Sequence, residues 1–411
     1  MNEVRVAAPL LRGKTVGVAA AAGLAAAMGV GRFVFTPLLP IMTASAEISA
    51  GDGALIATGN YAGYLVGALL LTRRPGLGTR PLFLAWSLLL VASEAAMATT
   101  TAVWIQIALR FLAGAASAAI FIACATTVAQ HRAEGASPGV AFAGVGAGIA
   151  GTGIYTLLAA PHLSWQGLWI GSAVLTAALL VPAVLLDIRP ETRAADTAGT
   201  GGSPAARRSS RLLLGSYFAE GVGYIIVGTF LVAAVSGTGS ASAGALVWMI
   251  VGLAAAVSTV AWHAVAGRIG TGPALVTALL VQAAGTAAAA VSDSVAIAVV
   301  AAVAFGGTFM AVVVLTLDAA RRLGIAHAAA MLTAAYATGQ VIGPLLVVPL
   351  VDTSYTSAFA LAAPIIALSA VLARAANPGP RVGPTPAAPR LVRPAHRCPG
   401  RTAGRRSECG P

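Results

Sequence analysis

The stretch AMGVGRFVFTPLLP (residues 27–40) places one arginine, Arg32, in the middle of a long apolar run. A central arginine in a lipid bilayer costs about 2.5–3.5 kcal/mol on insertion scales, so such a residue usually faces a cavity or a partner. A second stretch, AEGVGYIIVGTFLV (219–232), repeats the GVG pattern at an offset of 192 residues. There Tyr224 takes the place of Arg32, and Glu220 directly precedes the glycines. The repeat indicates two related halves.

Apolar runs of this kind dominate the chain. Of its 411 residues, 58% are hydrophobic and 9% are charged, whereas about a quarter are charged in soluble domains. Spanning a bilayer takes about 20 apolar residues in a helix. Runs of that length occur at 15–42, 53–72, 80–99, 102–130, 138–160, 164–188, 211–236, 243–266, 271–291, 295–320, 327–350 and 354–374. They are too long and lack the alternation of barrel strands. We predict an all-α integral membrane protein with twelve transmembrane helices in two pseudo-symmetric six-helix bundles.

The polar segments divide the chain into five parts. We predict a cytoplasmic N-terminus (1–14), an N-terminal six-helix bundle (15–188), a flexible cytoplasmic linker (189–210), a C-terminal six-helix bundle (211–374) and a disordered basic cytoplasmic tail (375–411). A signal peptide is the alternative for residues 1–30, but the apolar run there is too long for one and completes the count of twelve. The linker and tail are rich in Gly, Ser, Thr, Pro and Arg, which disfavours a packed core.

The basic residues follow the loops rather than one face of a soluble domain, so the net charge of +12 does not indicate a nucleic-acid partner. Lysine and arginine concentrate at one set of helix ends, whereas the other set carries acidic residues. By the positive-inside rule, both termini and the linker are cytoplasmic. We expect the protein to cross the cytoplasmic membrane several times and to contact the lipid bilayer. We also expect it to be a monomer.

Motifs for catalysis and cofactors are missing from the sequence. GAGIAG (146–151) fits GxGxxG, but it lies inside an apolar span instead of between a strand and a helix. Close helix packing, or a bendable fifth helix, is the better interpretation. There is no HExxH, GxSxG or GxxxxGK[ST] pattern. We therefore expect no catalytic residue, no metal site, no cofactor and no ATP binding. Two of the three cysteines lie in the predicted cytoplasmic tail, which makes a structural disulfide improbable.

Polar residues inside the spans are the remaining functional candidates. The charged ones are Arg32, Glu94, Arg110 and Glu220. The uncharged ones form stripes at helical spacing, with Asn60 and Tyr64 in one span, Tyr217 and Tyr224 beside Glu220, and Thr333, Tyr336 and Gln340 in another. Structural ion pairs and interhelical hydrogen bonds are the alternative explanation. Together the stripes predict a shared polar cavity. Asp318 is set aside, since the arginines at i+3 and i+4 provide surface partners.

Several of these segments resemble a known family. GVGRFVFTPLLPIM (29–42), GNYAGYLVGALL (59–70), AEGVGYIIVGTFL (219–231), FGGTFM (305–310) and GQVIGP (339–344) are similar to the YbfB-like branch of the major facilitator superfamily. The resemblance, over residues 14–374, implies a central site between two bundles, lined by helices 1, 4, 7 and 10 and open alternately to each side. The chain departs from the superfamily at Leu71 and Gly267, where an acidic residue of the cytoplasmic charge lock would stand.

These observations predict a secondary active transporter for a small organic solute, with proton coupling favoured over sodium. Arg32 and Arg110 would attract an anionic group, while Asn60, Tyr64, Tyr224, Tyr336 and Gln340 would orient the substrate. Glu220 is the first candidate for proton coupling and Glu94 the second. Arg32 and Glu220 could pair in one state of the cycle. Efflux of a drug-like product and uptake of an organic acid both remain open. The rival classes are a non-transporting membrane sensor or scaffold on the same fold, and an intramembrane enzyme.

Overall fold

A computed structural model describes residues 11–45, 48–189, 204–238, 241–292, 294–323 and 328–376. Within these ranges, twelve helices are long and apolar enough to cross a membrane. They are α1 Lys14–Ala44, α2 Ala50–Arg73, α3 Arg80–Met97, α4 Val103–Gln130, α5 Pro138–Ala159, α6 Trp165–Ala183, α7 Pro204–Thr238, α8 Ala241–Ile269, α9 Thr271–Val291, α10 Val295–Arg322, α11 Ala328–Val351 and α12 Tyr355–Ala376. The prediction of an all-helical fold with twelve spans is confirmed.

Two helix boundaries differ clearly from the predicted ones. Helix α6 ends at Ala183 rather than at residue 188, and the start of α7 also differs. Helix α7 begins at Pro204, so residues 204–210 are helical rather than part of the linker. The sequence PAARRSS starts with proline, which is favoured in the first helical turn, and continues with good helix formers. The prediction followed hydrophobicity alone and therefore missed this polar extension. Residues 1–10, most of the predicted linker (190–203) and the tail from residue 377 lie outside the described residues.

The two halves of the chain share one packing pattern. Helix α1 packs against α4, α5 and α6, just as α7 packs against α10, α11 and α12. Helix α4 contacts α2 and α3, and α10 contacts α8 and α9 in the same way. The contact between α3 and α6 also recurs between α9 and α12. Contacts that repeat at a shift of six helices are those expected of two pseudo-symmetric bundles.

The halves meet along two equivalent helix pairs, α2 with α11 and α5 with α8. Glycine permits the second contact, because a Cβ at Gly146 would lie 2.7 Å from the carbonyl oxygen of Gly252 on α8. A Cβ at Gly148 would lie 2.8 Å from the Cα of Gly29 on α1. The GAGIAG segment therefore allows close helix packing, as predicted. Gly151 does not contribute to this close packing, because a Cβ at that position would meet open space.

The end of α11 also contacts the start of α2. We refer to the two membrane faces as the terminus side, where α1 begins and α12 ends, and the opposite side. On the opposite side, Asp352 accepts a hydrogen bond of 2.8 Å from the backbone N–H of Gly51, in the first turn of α2. A carboxylate at a helix N-terminus is stabilised by the helix dipole. This bond joins the two halves at one membrane face.

Helix α1 is interrupted near its middle, at the GVG motif. Lys14–Leu24 is α-helical, Ala25–Val30 forms a π-helical turn, and the α-helix resumes at Phe35. Across the interruption, Val34 bonds to the carbonyl of Val30 and Thr36 bonds to that of Phe33. The carbonyls of residues 31 and 32 receive no backbone hydrogen bond. Interrupted helices at the membrane midplane commonly build binding sites in transporters, because they expose backbone polar groups there.

Candidate functional site

Arg32 projects from the interruption in α1 and is 3% exposed. Its guanidinium donates a hydrogen bond to Oε1 of Gln340 on α11. The Cζ atom of Arg32 lies 4.3 Å from the ring centroid of Tyr64, 5.2 Å from that of Tyr61 and 5.4 Å from that of Phe33. Aromatic faces attract a desolvated cation by about 2 kcal/mol. The rings therefore take over part of the role that water has around an exposed guanidinium.

No acidic side chain among the described residues pairs with Arg32. The ion pairs found there are Arg189–Asp187 and Arg321–Asp318. The second is the surface pair expected from its spacing. Beside Arg32, two buried nitrogen donors have no hydrogen-bond partner, namely its own Nε and the Nε2 of Gln340. A guanidinium retains its charge in proteins, and an uncompensated buried charge is costly. The arrangement suits a negatively charged ligand.

Five aromatic side chains stack next to this cation. The ring centroids of Tyr217 and Tyr336 are 4.4 Å apart, and those of Tyr336 and Tyr224 are 5.6 Å apart. Tyr224 also stacks on Phe305 and Phe309, each at 5.5 Å. The stack joins α7, α10 and α11, and its three tyrosines lie within electrostatic reach of the arginine on α1. The stack places nearly parallel aromatic rings close to a positive charge.

Arg110 on α4 binds the backbone of α1. Its Nη1 donates to the carbonyl of Gly31 and its Nη2 to the carbonyl of Arg32, each at 2.8 Å. Both carbonyls belong to the interrupted part of α1 and receive no backbone hydrogen bond. The Cζ of Arg110 also lies 5.7 Å from the ring of Phe35 and 5.6 Å from that of Trp169. Arg110 thus stabilises the interruption from which Arg32 projects.

The predicted substrate residues fall into two groups in space. Tyr64 and Gln340 contact Arg32, and Tyr224 and Tyr336 belong to the adjacent stack. Asn60 lies behind this group, because its Nδ2 donates to the Arg110 carbonyl at 3.1 Å, whereas its buried Oδ1 has no partner.

Sequence reasoning missed several aromatic residues of this region. They are Phe33, Tyr61, Phe305 and Phe309. Phe33 follows Arg32 and Tyr61 follows Asn60, so adjacency to a selected polar residue was the available signal. Phe305 and Phe309 lie in the FGGTFM segment that carries the family resemblance. Neither was selected as a site residue, because apolar side chains are common throughout every span. Their role depends on the three-dimensional packing of α10 against α7.

Glu220 on α7 points toward α9 and α10. It is fully buried, and its Oε1 accepts a hydrogen bond of 2.8 Å from Nε2 of Gln282 on α9. The Oε1 of Gln282 in turn accepts one of 3.0 Å from the hydroxyl of Thr308 on α10. The Oε2 of Glu220 has no hydrogen-bond partner. Arg32 and Glu220 therefore form no ion pair in this structure. Gln282, a polar residue in an apolar span, could have been selected from the sequence.

Glu94 on α3 occupies a separate buried position. The Thr176 hydroxyl lies near it, but no well-formed hydrogen bond reaches either of its carboxyl oxygens. Arg110 lies within electrostatic reach, yet its terminal nitrogens bind the backbone of α1 instead. Glu94 therefore lies near Arg110, which holds the interrupted backbone of α1, rather than near Arg32.

A cavity of about 570 Å³ lies at the ends of α1, α5 and α7 and the starts of α8 and α12, on the side opposite the termini. Its lining includes Pro40, Thr156, Ser236 and Tyr355 and carries no charged side chain. The buried hydroxyls of Thr156 and Ser236 have no hydrogen-bond partner. This volume lies within the range of about 300–1,000 Å³ typical of small-molecule sites.

The crossing of α1 and α7 lies between this cavity and Arg32 along both helices. The Thr36 hydroxyl donates to the carbonyl of Gly228 at 2.9 Å, and these residues are 192 positions apart, the offset of the sequence repeat. Equivalent residues of the two halves thus meet each other. The hydroxyls of Tyr61 and Thr229 are also hydrogen-bonded, at 3.0 Å. These contacts connect the halves beside the central site.

Among the described residues, no group of three or more His, Cys, Asp or Glu side chains is placed to hold a metal ion.

The comparisons with known proteins agree with this architecture. Residues 24–376 match the family model described as "Uncharacterised MFS-type transporter YbfB". A mutant of the nucleoside transporter NupG is similar in structure, with a TM-score of 0.69 and 12% identity, covering 88% of this chain and 100% of that one. The structure titled nucleoside transporter NupG gives a TM-score of 0.68 and 13% identity, covering 89% and 98%. At such identities the likeness shows the fold alone. No curated protein sequence matches significantly.

Proposed function

The chain belongs to the family of MFS-type transporters described as YbfB, and we propose that it is a proton-coupled secondary transporter of a small organic anion. Family membership and the twelve-span fold support a transporter. The finer assignment rests on the charges buried between the helices. As in other transporters with paired halves, the solute would bind near the midplane and reach each side in turn.

The observation that carries this proposal is the lone guanidinium of Arg32. It is buried at the interruption of α1, held by aromatic faces and an amide, and has no acidic partner among the described residues. Buried ionisable residues within a membrane usually mark a solute or ion pathway. A bound anion would compensate the charge and use the two free donors. Arg110 would act as a positioning residue for Arg32 by fixing the interrupted backbone.

Glu220 is the proposed proton carrier. Its described neighbours offer an amide donor from Gln282 but no cation. As a carboxylate it would be an uncompensated buried charge, whereas as a carboxylic acid it carries none. The group can therefore release its proton where water reaches it and take one up before burial. Glu94 is a second carboxyl that could exchange protons, through its proximity to Arg110.

Alternating access would involve the crossing of α1 and α7. The bonds of Thr36 and Tyr61 across the halves separate the central site from the uncharged cavity, and they would break when the site opens in that direction. We propose that the terminus side is cytoplasmic, that residues 189–203 link the two bundles and that a single chain is the transporting unit in the cytoplasmic membrane. The basic loops support this orientation through the positive-inside rule.

Purified protein in liposomes that contain a pH-sensitive dye would test the proposal. A panel of small organic carboxylates and sulfonates is added outside, and the proton movement that each solute evokes is recorded. Protein-free liposomes give the passive entry of neutral acids, which is subtracted. We expect at least one anion to evoke proton entry. Glu220→Gln should lose this proton movement but retain exchange of the same solute across the membrane, because exchange needs no net proton transfer.

Glu134→Gln provides the matched control, since Glu134 is an exposed acid in the loop before α5. It should behave like the wild type in both assays. Proton movement in Glu220→Gln at the wild-type rate would exclude Glu220 as the carrier. A panel in which no solute evokes proton movement or exchange would contradict the transporter proposal itself.

A further inference from the structure

The hydrogen-bond donors next to Arg32 indicate which charged group of the solute the central site would bind. The Nη2 of Arg32 donates to the oxygen of the Gln340 amide, and the nitrogen of the same amide is buried without an acceptor. The Nε of Arg32 is a second buried donor without an acceptor. Two neighbouring N–H donors beside a positive charge match the two oxygens of one carboxylate.

The number of available charges limits the solute to one negative charge. Of the described residues, the buried basic side chains are Arg32 and Arg110. Arg110 uses both terminal nitrogens on backbone carbonyls of α1. A dicarboxylate or a phosphate ester would bring a second charge with no cation to meet it. The site therefore favours a monoanion.

The aromatic stack indicates the shape of the part of the solute that carries no charge. Tyr217, Tyr336 and Tyr224 present nearly parallel rings, with interplanar angles of 13° and 25°. Phe305 and Phe309 extend the same stack at angles of 16° and 24° to Tyr224. Aromatic rings favour offset stacking on one another beyond the burial of apolar area. A flat ring can pack on the outer face of such a stack more closely than a puckered aliphatic ring can.

We infer that the central site selects an aromatic monocarboxylate, with its carboxylate on Arg32 and Gln340 and its ring packed against the tyrosine stack. This inference deepens the proposed function and rests on it. This placement would let the solute enter along α11 from the terminus side. Along the polar stripe of that helix, Thr333 is exposed, Tyr336 is half-buried and Gln340 is fully buried.

Binding to the purified wild-type protein tests the inference with four probes: benzoate, benzamide, cyclohexanecarboxylate and phthalate. Benzamide removes the charge, cyclohexanecarboxylate removes the aromatic ring, and phthalate adds a second charge. We expect benzoate to bind at least tenfold more tightly than each of the others, measured by titration of the intrinsic tryptophan fluorescence. Benzoate that binds no more tightly than benzamide or cyclohexanecarboxylate would overturn the inference.

Two variants and one control test which residue causes the preference for a charged probe and which causes the preference for an aromatic probe. Arg32→Gln should abolish the preference for benzoate over benzamide, and Tyr336→Leu should abolish the preference over cyclohexanecarboxylate. Tyr355→Leu is the matched control, because Tyr355 stacks on Phe230 near the uncharged cavity and lies outside the tyrosine stack. A preference that survives both Arg32→Gln and Tyr336→Leu would contradict this placement of the solute.

The wild-type ratios remain decisive if a variant fails to fold. They also separate the inference from the proposed function. Proton movement or exchange evoked by an aliphatic anion, together with equal binding of benzoate and benzamide, would support the transporter while excluding an aromatic solute.

Discussion

Replacing Arg110 by methionine should destabilise the protein itself, because its guanidinium supports the interruption in α1. The side chain donates two hydrogen bonds of 2.8 Å, to the carbonyls of Gly31 and Arg32. Hydrogen bonds to charged groups contribute about 1.5–3 kcal/mol each, and both carbonyls would be left buried without a partner. Arg110→Met should therefore lower the free energy of unfolding by about 3–6 kcal/mol. SDS-induced unfolding in mixed micelles, followed by tryptophan fluorescence, measures this difference.

Two further variants test whether Arg110 stabilises the interruption in α1. Arg110→Lys retains a charge but cannot span both carbonyls with a planar fork, so roughly half of the loss should remain. Arg322→Met removes an exposed arginine at the end of α10 and should leave the unfolding free energy within about 0.5 kcal/mol of the wild type. If Arg110 contacted the solute instead, Arg110→Met would unfold like the wild type and lose only binding. That result would refute the supporting role.

Arg32→Ala and Glu220→Gln should lower the unfolding free energy additively within about 0.5 kcal/mol, because the two residues form no ion pair here; a coupling above 1 kcal/mol would contradict this. Asp352→Asn should cost about 0.3–1 kcal/mol at low salt and little at 1 M salt, and a salt-independent loss would exclude a charge effect. In a background without Cys398 and Cys409, an impermeant thiol reagent should label Ser49→Cys in intact cells but not Ser203→Cys. The reverse labelling would invert the proposed topology.

The membrane spans could be predicted from sequence because their physical cause is local. A helix that crosses lipid must satisfy its own backbone and present about 20 apolar residues, and both conditions can be read along the chain. Hydrophobicity did not predict the start of α7 at Pro204, since the first residues of this helix are polar. Helix propensity in PAARRSS was the available evidence.

The cost of burying charge also identified Arg32, Arg110, Glu94 and Glu220 as the residues that need an explanation. Their partners could not be predicted in the same way. Gln340 lies 308 positions from Arg32 and Gln282 lies 62 from Glu220, so only the packing of distant helices brings them together.

The structure also separates residues that the sequence grouped by chemistry. Arg32 and Arg110 are both buried arginines whose Nε has no partner. The terminal nitrogens of Arg110 bind the backbone of α1, whereas Arg32 bonds to the Gln340 amide, which keeps a free donor of its own. The difference depends on the interruption at the GVG motif. A glycine pair in an Ala-rich helix signals close packing or bending in general, and it does not reveal which carbonyls will lose their hydrogen bonds.

Exchange of a labelled organic anion across liposomes tests the central claim most directly, with the anion taken from the proton-movement screen. Wild-type protein is compared with Arg32→Gln and Arg32→Lys at equal amounts of folded protein. Exchange needs the anion site but no net proton transfer, so it isolates the role of Arg32. We predict at least a tenfold loss of exchange in Arg32→Gln and partial activity in Arg32→Lys. Exchange by folded Arg32→Gln at the wild-type rate would contradict the claim that this buried charge binds the transported anion.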